Sequence, residues 1–376
     1  MGALSGLTVV ELAGLGPAPF AAMMLADHGA RVIRVDRPDG ADGSGNVLCR
    51  NRSSLALDLK HEAGRAAVLK LIATADVLIE PFRPGVMERL GLGPRECLAL
   101  NPRLVYGRMT GWGQEGPLAH AAGHDINYVS LVGVTDAVGR PGERPLPPLN
   151  LVGDYGGGGM MLAFGVMAAV WSAQRTGVGQ VIDAAMVDGA SILMAEYWGF
   201  LGRGEFEGPR GTHVLDGGAP FYRVYETRDG LFVSIGPLER KFYDDLLTMI
   251  GLDPAAWADQ NNQEIWPKLQ RELEKVFRTR TRDEWTRLLE GTDVCFAPVL
   301  SMAEAQRHPH VAARGTLCDV SGMTQPSPAP RFDRTPPSSP RAGSKAGQHT
   351  TQILATLGYA APEIESLIAA GAARQA

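Results

Sequence analysis

Leu7-Thr-Val-Val-Glu-Leu12, the turn Gly14-Leu-Gly16-Pro-Ala-Pro19, the segment Phe20-Ala-Ala-Met-Met-Leu-Ala-Asp-His28, then Gly29 and Arg31-Val-Ile-Arg-Val-Asp36 form the stretch that decides the fold. An apolar run of strand length is followed by a turn and a segment rich in Ala, Met and Leu. Gly29 closes that segment as a C-terminal glycine closes a helix, and a second strand follows. The pattern continues outward. Leu55 to Leu59 reads as a short strand, His61 to Ala73 has apolar residues at helical spacing, and Val77 to Ile79 and Leu104 to Met109 are further buried strands. Strands alternating with helices of about ten or more residues predict βαβ units, an α/β class and a mostly parallel sheet.

The pattern changes near Pro220. Phe221 to Glu226 and Leu231 to Ile235, separated by Thr-Arg-Asp-Gly, predict a β-hairpin. Charged helices are expected at Trp266 to Phe277 and Asp283 to Leu289, then a short strand at Cys295 to Leu300. This is a smaller α+β domain, 201–325, inserted in a larger domain made of 1–200 and 326–376. Gln325 to Arg341 is dense in Pro and Ser and predicts an extended connection; Thr350 to Leu357 and Pro362 to Ala370 read as short helices.

Composition bounds the function. A chain of 376 residues, 45% of them apolar, has ample core and excludes general disorder. Lys plus Arg number 36 against 41 Asp plus Glu, a net charge of −5, which argues against a nucleic-acid binder. The longest apolar run, Met160 to Trp171, falls short of the about 20 residues of a membrane span. Met1 to Leu7 lacks the pattern of a secretory signal. Cys49, Cys97, Cys295 and Cys318 are widely spaced and form no metal-binding pattern. Free thiols in a reducing cytoplasm and no bound metal are the expectations.

The first βα turn resembles the Gly-x-Gly-x-x-Gly dinucleotide fingerprint, with Asp36 at the end of the second strand, but the match fails. Pro19 replaces the third glycine, and Pro17 and Pro19 remove two N–H donors from the turn. Basic residues near strand ends say more: Arg37, Arg50, Arg52, Lys60, Arg83 and Arg89. Arg37, Lys60 and Arg83 each follow a different strand, and cations at the carboxyl ends of parallel strands suit a polyphosphate ligand.

Two further motifs point to acid–base chemistry. Gly123-His124-Asp125-Ile126-Asn127-Tyr128 opens a helical pattern after a loop-like stretch, which places His124 at a cleft. Asp154 lies in Asn150-Leu-Val-Gly153-Asp154-Tyr-Gly156-Gly-Gly-Gly159, ahead of the apolar helix Met160 to Trp171. The glycine run is expected to let a ligand approach the backbone, with amides near Gly153 and Asp154 free to serve an oxyanion. Glu239, after the hairpin, carries a carboxylate suited to orienting an imidazole.

Leu4 to Leu12, Gly29 to Arg37, Leu57 to Lys60, Arg83 to Gly93 and Gly111 to Gly116 together resemble the family III CoA-transferases; Gly123 to Tyr128 with Gly153-Asp154 match their racemase branch, the α-methylacyl-CoA racemases. The resemblance implies a large Rossmann-like domain built from both chain ends, a smaller domain, and two subunits interlocked as a homodimer. It implies His124 and Asp154 as the acid–base pair and Glu239 as the carboxylate paired with the imidazole. It assigns Arg37, Leu57, Asp58, Leu59, Lys60, Pro81, Phe82, Arg83, Arg89, Gly123, His124, Asp125, Ile126, Asn127 and Tyr128 to the CoA moiety of an acyl-CoA thioester substrate. Met160, Met161, Met186 and Met194 correspond to a methionine-rich acyl surface. No separate cofactor is expected, CoA being part of the substrate. The competing chemistry on this fold is CoA transfer through an aspartyl anhydride, with Asp125 as nucleophile.

Overall fold

In the computed structural model, which describes residues 2–376, the chain divides into two compact units. The larger comprises the chain up to Val134, Pro148–Ala195 and Gly315–Ala376; the smaller comprises Thr135–Pro147 and Glu196–Arg314. Thr135–Pro147, expected in the large domain, clusters with the smaller unit because Arg210 binds the Asp136 carboxylate and the carbonyls of Asp136 and Glu143. The boundary expected near 325 falls at Gly315 instead, since Leu317–Val320 and Met323–Pro326 form a two-stranded ribbon in the large unit, where the Pro326 carbonyl accepts from Arg50.

Strands β1 (Thr8–Leu12), β2 (Arg31–Asp36), β3 (Ser53–Leu57), β4 (Val77–Glu80), β5 (Val105–Thr110) and β6 (Gln180–Ala185) form a parallel sheet in the order β3-β2-β1-β4-β5-β6. The closing strand Ala373–Arg374 adds antiparallel to β3, so both chain ends build this sheet. The apolar runs follow from burial on both faces. Val10, Leu12, Ile33, Val35, Leu55 and Leu78 pack in one core layer, and Val9, Val32, Val77, Ile79 and Val105 in the other. Order reverses at β1, whose neighbours β2 and β4 carry the chain to opposite sides. That reversal opens a crevice at the carboxyl ends of the strands.

The apolar interior also holds buried charge. Glu11, near the end of β1, is fully buried and paired with Arg52. Burial raises its carboxyl above the usual range against the pull of Arg52.

The glycine run expected to let a ligand approach its backbone is itself helical. Leu151–Met160 winds as a π-helix that runs directly into the α-helix Met161–Thr176. Its glycines admit neighbouring helices rather than a ligand. A Cβ on Gly158 would meet Pro17 Cβ at 2.7 Å, and one on Gly159 would meet Phe20 Cδ1 at 2.6 Å, both on the helix Pro17–Asp27. A Cβ on Gly189, in the helix Met186–Leu193, would lie 1.8 Å from the Gly157 carbonyl oxygen. The combined helix Leu151–Thr176 is long and apolar enough to cross a bilayer by length and composition, longer than the apolar run read from sequence. Half of its apolar window is nonetheless buried inside the protein, against β5, β6 and the first helix.

The smaller unit holds an antiparallel sheet of β7 (Arg223–Glu226), β8 (Phe232–Ile235) and β9 (Phe296–Pro298). Its core gathers Phe221, Tyr225, Tyr243, Trp266, Phe277 and Trp285. The helices Trp266–Phe277 and Arg282–Leu289 coincide with the periodic segments of the sequence to within a residue.

Gly189→Ala should reveal the backbone contact. It forces apart two helices with no side chain able to yield, so a loss of about 3 kcal/mol or more is expected in urea unfolding. An unchanged midpoint would refute the contact.

Candidate active site

Two cavities flank the turn after β1. The first, of about 360 Å³, is lined by Gly14 to Pro17, Pro81 to Pro84, Met109 to Trp112, Gly123, His124, Tyr128, Asp154 and Met186, among others. The second, of about 560 Å³, is lined by Arg34, Asp36, Arg37, the 40–43 loop, Leu57, Leu59 and Phe82, among others. Gly14, Leu15, Gly16 and Phe82 belong to both walls. The pair sits where the strand order reverses, and the two spaces together suit an elongated ligand with a nucleotide at one end.

His124 is the residue before the helix Asp125–Leu131 and holds extended backbone. Its N–H donates to Asn127 Oδ1 at 3.0 Å, and its carbonyl accepts from the Asn127 N–H at 2.8 Å. The predicted site residue Asn127 thus acts as a cap that sets the start of the helix. Tyr128 donates its hydroxyl to the Gly123 carbonyl and meets Trp112 edge-on, with ring centroids 4.6 Å apart. Gly123 is required here, because a Cβ would stand 2.8 Å from the Tyr128 ring. These contacts fix the backbone around an imidazole that itself reaches the first cavity.

Asp154 lies in the first turn of the π-helix and lines the same cavity. Asn150 Nδ2 donates to its Oδ2 at 3.0 Å. Gly16 comes so near that a Cβ there would lie 3.2 Å from the same oxygen. Asn150 was not singled out in the sequence. Its signal was the spacing of four from Asp154, about one helical turn.

Asp125 occupies a different environment. It is 8% exposed and lines neither cavity. Its Oδ2 accepts from the Asp154 N–H at 2.7 Å, and the Gly153 N–H also bonds to it. Burial pushes its carboxyl upward, the two amides hold it down, and the nearby Asp154 charge pushes it up again. Two expectations are corrected. Amides near Gly153 and Asp154 are committed to this carboxylate rather than free for an oxyanion. A nucleophile facing a thioester cannot be Asp125, since the carboxylate on the cavity wall is Asp154.

The basic residues also separate. Arg50 binds Asp27 through Nη2 at 2.5 Å, both buried, and also donates to the Pro326 carbonyl at 2.7 Å. Arg52 is consumed by Glu11. Both are structural ion pairs rather than ligand groups. Arg37 is 81% exposed at the second cavity, held loosely by a two-point contact to Asp39 at 2.9 and 2.8 Å. Arg83 is exposed on the wall of the first. Asp58, Lys60, Arg89 and Ile126 line neither cavity; Asp58 Oδ1 accepts from the Lys60 N–H at 2.9 Å and shapes that turn.

The loop that carries Pro81 to Arg83 is held from below. Glu80 is buried, accepts from the Phe82 N–H at 2.8 Å and pairs with Arg108 at 2.9 Å. Of the four methionines, Met186 reaches the first cavity, joined there by Met109 rather than by Met160, Met161 or Met194. Glu239 lies in the smaller unit, where it precedes the helix Arg240–Met249. The Cys295 thiol is raised chiefly by burial, with the negative charges of Glu239 and Asp293 adding to it.

The arginines give a test that needs no ligand. Arg50→Ala leaves Asp27 buried and unpaired and should cost about 3–5 kcal/mol. Arg37→Ala and Arg83→Ala should stay within about 0.5 kcal/mol of the parent in thermal or urea unfolding. Equal losses at all three would undo the assignment.

Comparison with known proteins agrees with this architecture. A family model described as CoA-transferase family III matches residues 4–350. The chain is 46% identical to the α-methylacyl-CoA racemase of Mus musculus over 97% of its own length and 96% of the relative's. It is 45% identical to the human enzyme of the same name with the same coverage. The solved structure of a CaiB/BaiF family protein from Brucella suis superposes with a TM-score of 0.83, at 27% identity, over 95% of this chain and 99% of the other.

Proposed function

The chain belongs to CoA-transferase family III, and from that membership we propose that it is an α-methylacyl-CoA racemase, an isomerase that inverts the α-carbon of 2-methylacyl-CoA thioesters. The observation that carries the reading is one cavity walled by both an imidazole, His124, and a carboxylate, Asp154. Near-half identity to two mammalian racemases along almost the whole chain supports it.

The thioester carbonyl acidifies the α-hydrogen. Neutral His124 removes the proton of one epimer and ionised Asp154 that of the other. The partner, in the opposite protonation state, returns a proton to the opposite face through an enolate-like intermediate. Arg83, on the same wall, favours negative charge developing nearby. The transfers use side chains of the protein alone, with CoA part of the substrate.

The second cavity takes the nucleotide end of CoA, with Arg37 as its exposed cation and Leu57 and Leu59 on its wall. The shared wall of Gly14 to Gly16 and Phe82 lies along the pantetheine, and the thioester reaches the first cavity. Pro81, Gly123 and Tyr128 complete that end; Asp58, Lys60, Arg89, Ile126 and Asn127 support it from outside the two walls. Four free thiols support a cytoplasmic setting.

His124→Ala and Asp154→Ala should each lower epimerisation by about 10²-fold or more. Incubation of one epimer in deuterated water, read by mass and by chirality, checks this. Near-normal α-hydrogen exchange in either variant would overturn the pairing.

We further propose that the working form is an interlocked homodimer. Met160, Phe164 and Trp171 fall on one face of the helix Leu151–Thr176, and Phe164 and Trp171 are 74% and 62% exposed. An apolar face of that kind calls for a partner, and a second copy of the chain meets the need. Sedimentation equilibrium should give twice the chain mass, and Phe164→Asp with Trp171→Asp should give monomer. A monomeric parent at micromolar concentration would sink the proposal.

A further inference from the structure

We propose that Asp125 is a positioning residue that locks the segment bearing His124 to the segment bearing Asp154. The inference rests on the racemase reading. Asp125 directly follows His124 and opens the helix Asp125–Leu131. Its carboxylate is buried, and Oδ2 accepts from the backbone N–H of Asp154 itself at 2.7 Å. The Gly153 N–H bonds to the same carboxylate. From imidazole to carboxylate the connection is therefore one peptide unit, one short side chain and one hydrogen bond.

Gly153 is shaped for this contact. A Cβ there would stand 2.3 Å from Asp125 Oδ2 and 3.0 Å from Val129 Cγ1, so only glycine admits the carboxylate. Asp125 reaches neither cavity wall, so it acts through its neighbours rather than on substrate.

The consequence is specific to a two-base reaction. Removing a proton from one face needs one group in place; inversion needs both, held about the same carbon. A misplacement of about 1 Å can cost about 10²-fold in rate. Loss of the Asp125 link should thus damage inversion more than exchange. A protein that is merely less stable loses both in proportion.

The experiment uses the full chain and one epimer of a 2-methylacyl-CoA in deuterated water. Deuterium uptake and inversion are followed separately. Asp125→Ala should invert about 10-fold or more slowly, keep its KM within about twofold, and show a raised ratio of exchange to inversion. Asp125→Asn retains a carbonyl acceptor for the two amides and should restore the ratio. Gly153→Ala, which expels the carboxylate while leaving Asp125 in the sequence, should mimic Asp125→Ala. It also carries the test should Asp125→Ala fail to fold.

A folded Asp125→Ala or Gly153→Ala with the parent ratio, or a proportional fall in exchange and inversion, overturns the role. A parent that neither exchanges nor inverts overturns the racemase reading itself, and this role with it. The two failures are told apart by the parent alone.

Discussion

The closest constraint in the molecule is a backbone-to-backbone contact between Gly157 and Gly189. Neither helix can carry a Cβ at the crossing, since one on Gly189 would approach the Gly157 oxygen to 1.8 Å. Gly158 and Gly159 stand close to the first helix as well, where a Cβ would meet Pro17 and Phe20 at 2.7 and 2.6 Å. Three helices are therefore drawn to a common point beside the turn after β1. Asp154 lies about one turn before that point, on the same helical segment. Conformational entropy given up by four consecutive glycines is offset by packing that fixes a carboxylate.

A second constraint is electrostatic. The interior holds Glu11 with Arg52, Asp27 with Arg50, and Glu80 with Arg108. Such pairs add little net stability compared with apolar residues of the same volume. Each nevertheless ties an element near the crevice to another part of the chain. Glu80 holds the loop carrying Phe82 and Arg83, and Arg50 joins the first helix to the ribbon that follows Gly315. Buried charges thereby shape the cavity walls that carry the exposed Arg37 and Arg83.

The sequence made the sheet legible because burial on both faces writes short, mostly apolar runs, and β1, β2, β4 and β5 fall on them even though Glu11, Arg34, Glu80 and Arg108 interrupt or end those runs. The helices of the smaller unit were legible from their strong 3.6-residue period, as at Trp266–Phe277. The glycine run misled for a physical reason: glycine serves equally for a ligand or for a neighbouring helix, and composition does not say which partner comes close. Arginines were ambiguous in the same way. Arg50 and Arg37 look alike in one dimension, and only packing reveals that Asp27 consumes the first while the second stays exposed. Asp125 was misassigned because its partners are backbone amides, which leave no trace in side-chain identity.

The closing strand Ala373–Arg374 has a consequence for how the protein is made. It covers the outer edge of β3, and Ala372 accepts from the Asp58 N–H at 2.9 Å. β3 leaves the ribosome roughly 300 residues before this cover arrives, so its hydrogen-bonding edge stands bare through most of synthesis. The large unit is thus complete only after the inserted unit has been translated. Its assembly is a late event, exposed to edge-to-edge misassociation until Ala373–Arg374 pairs with β3.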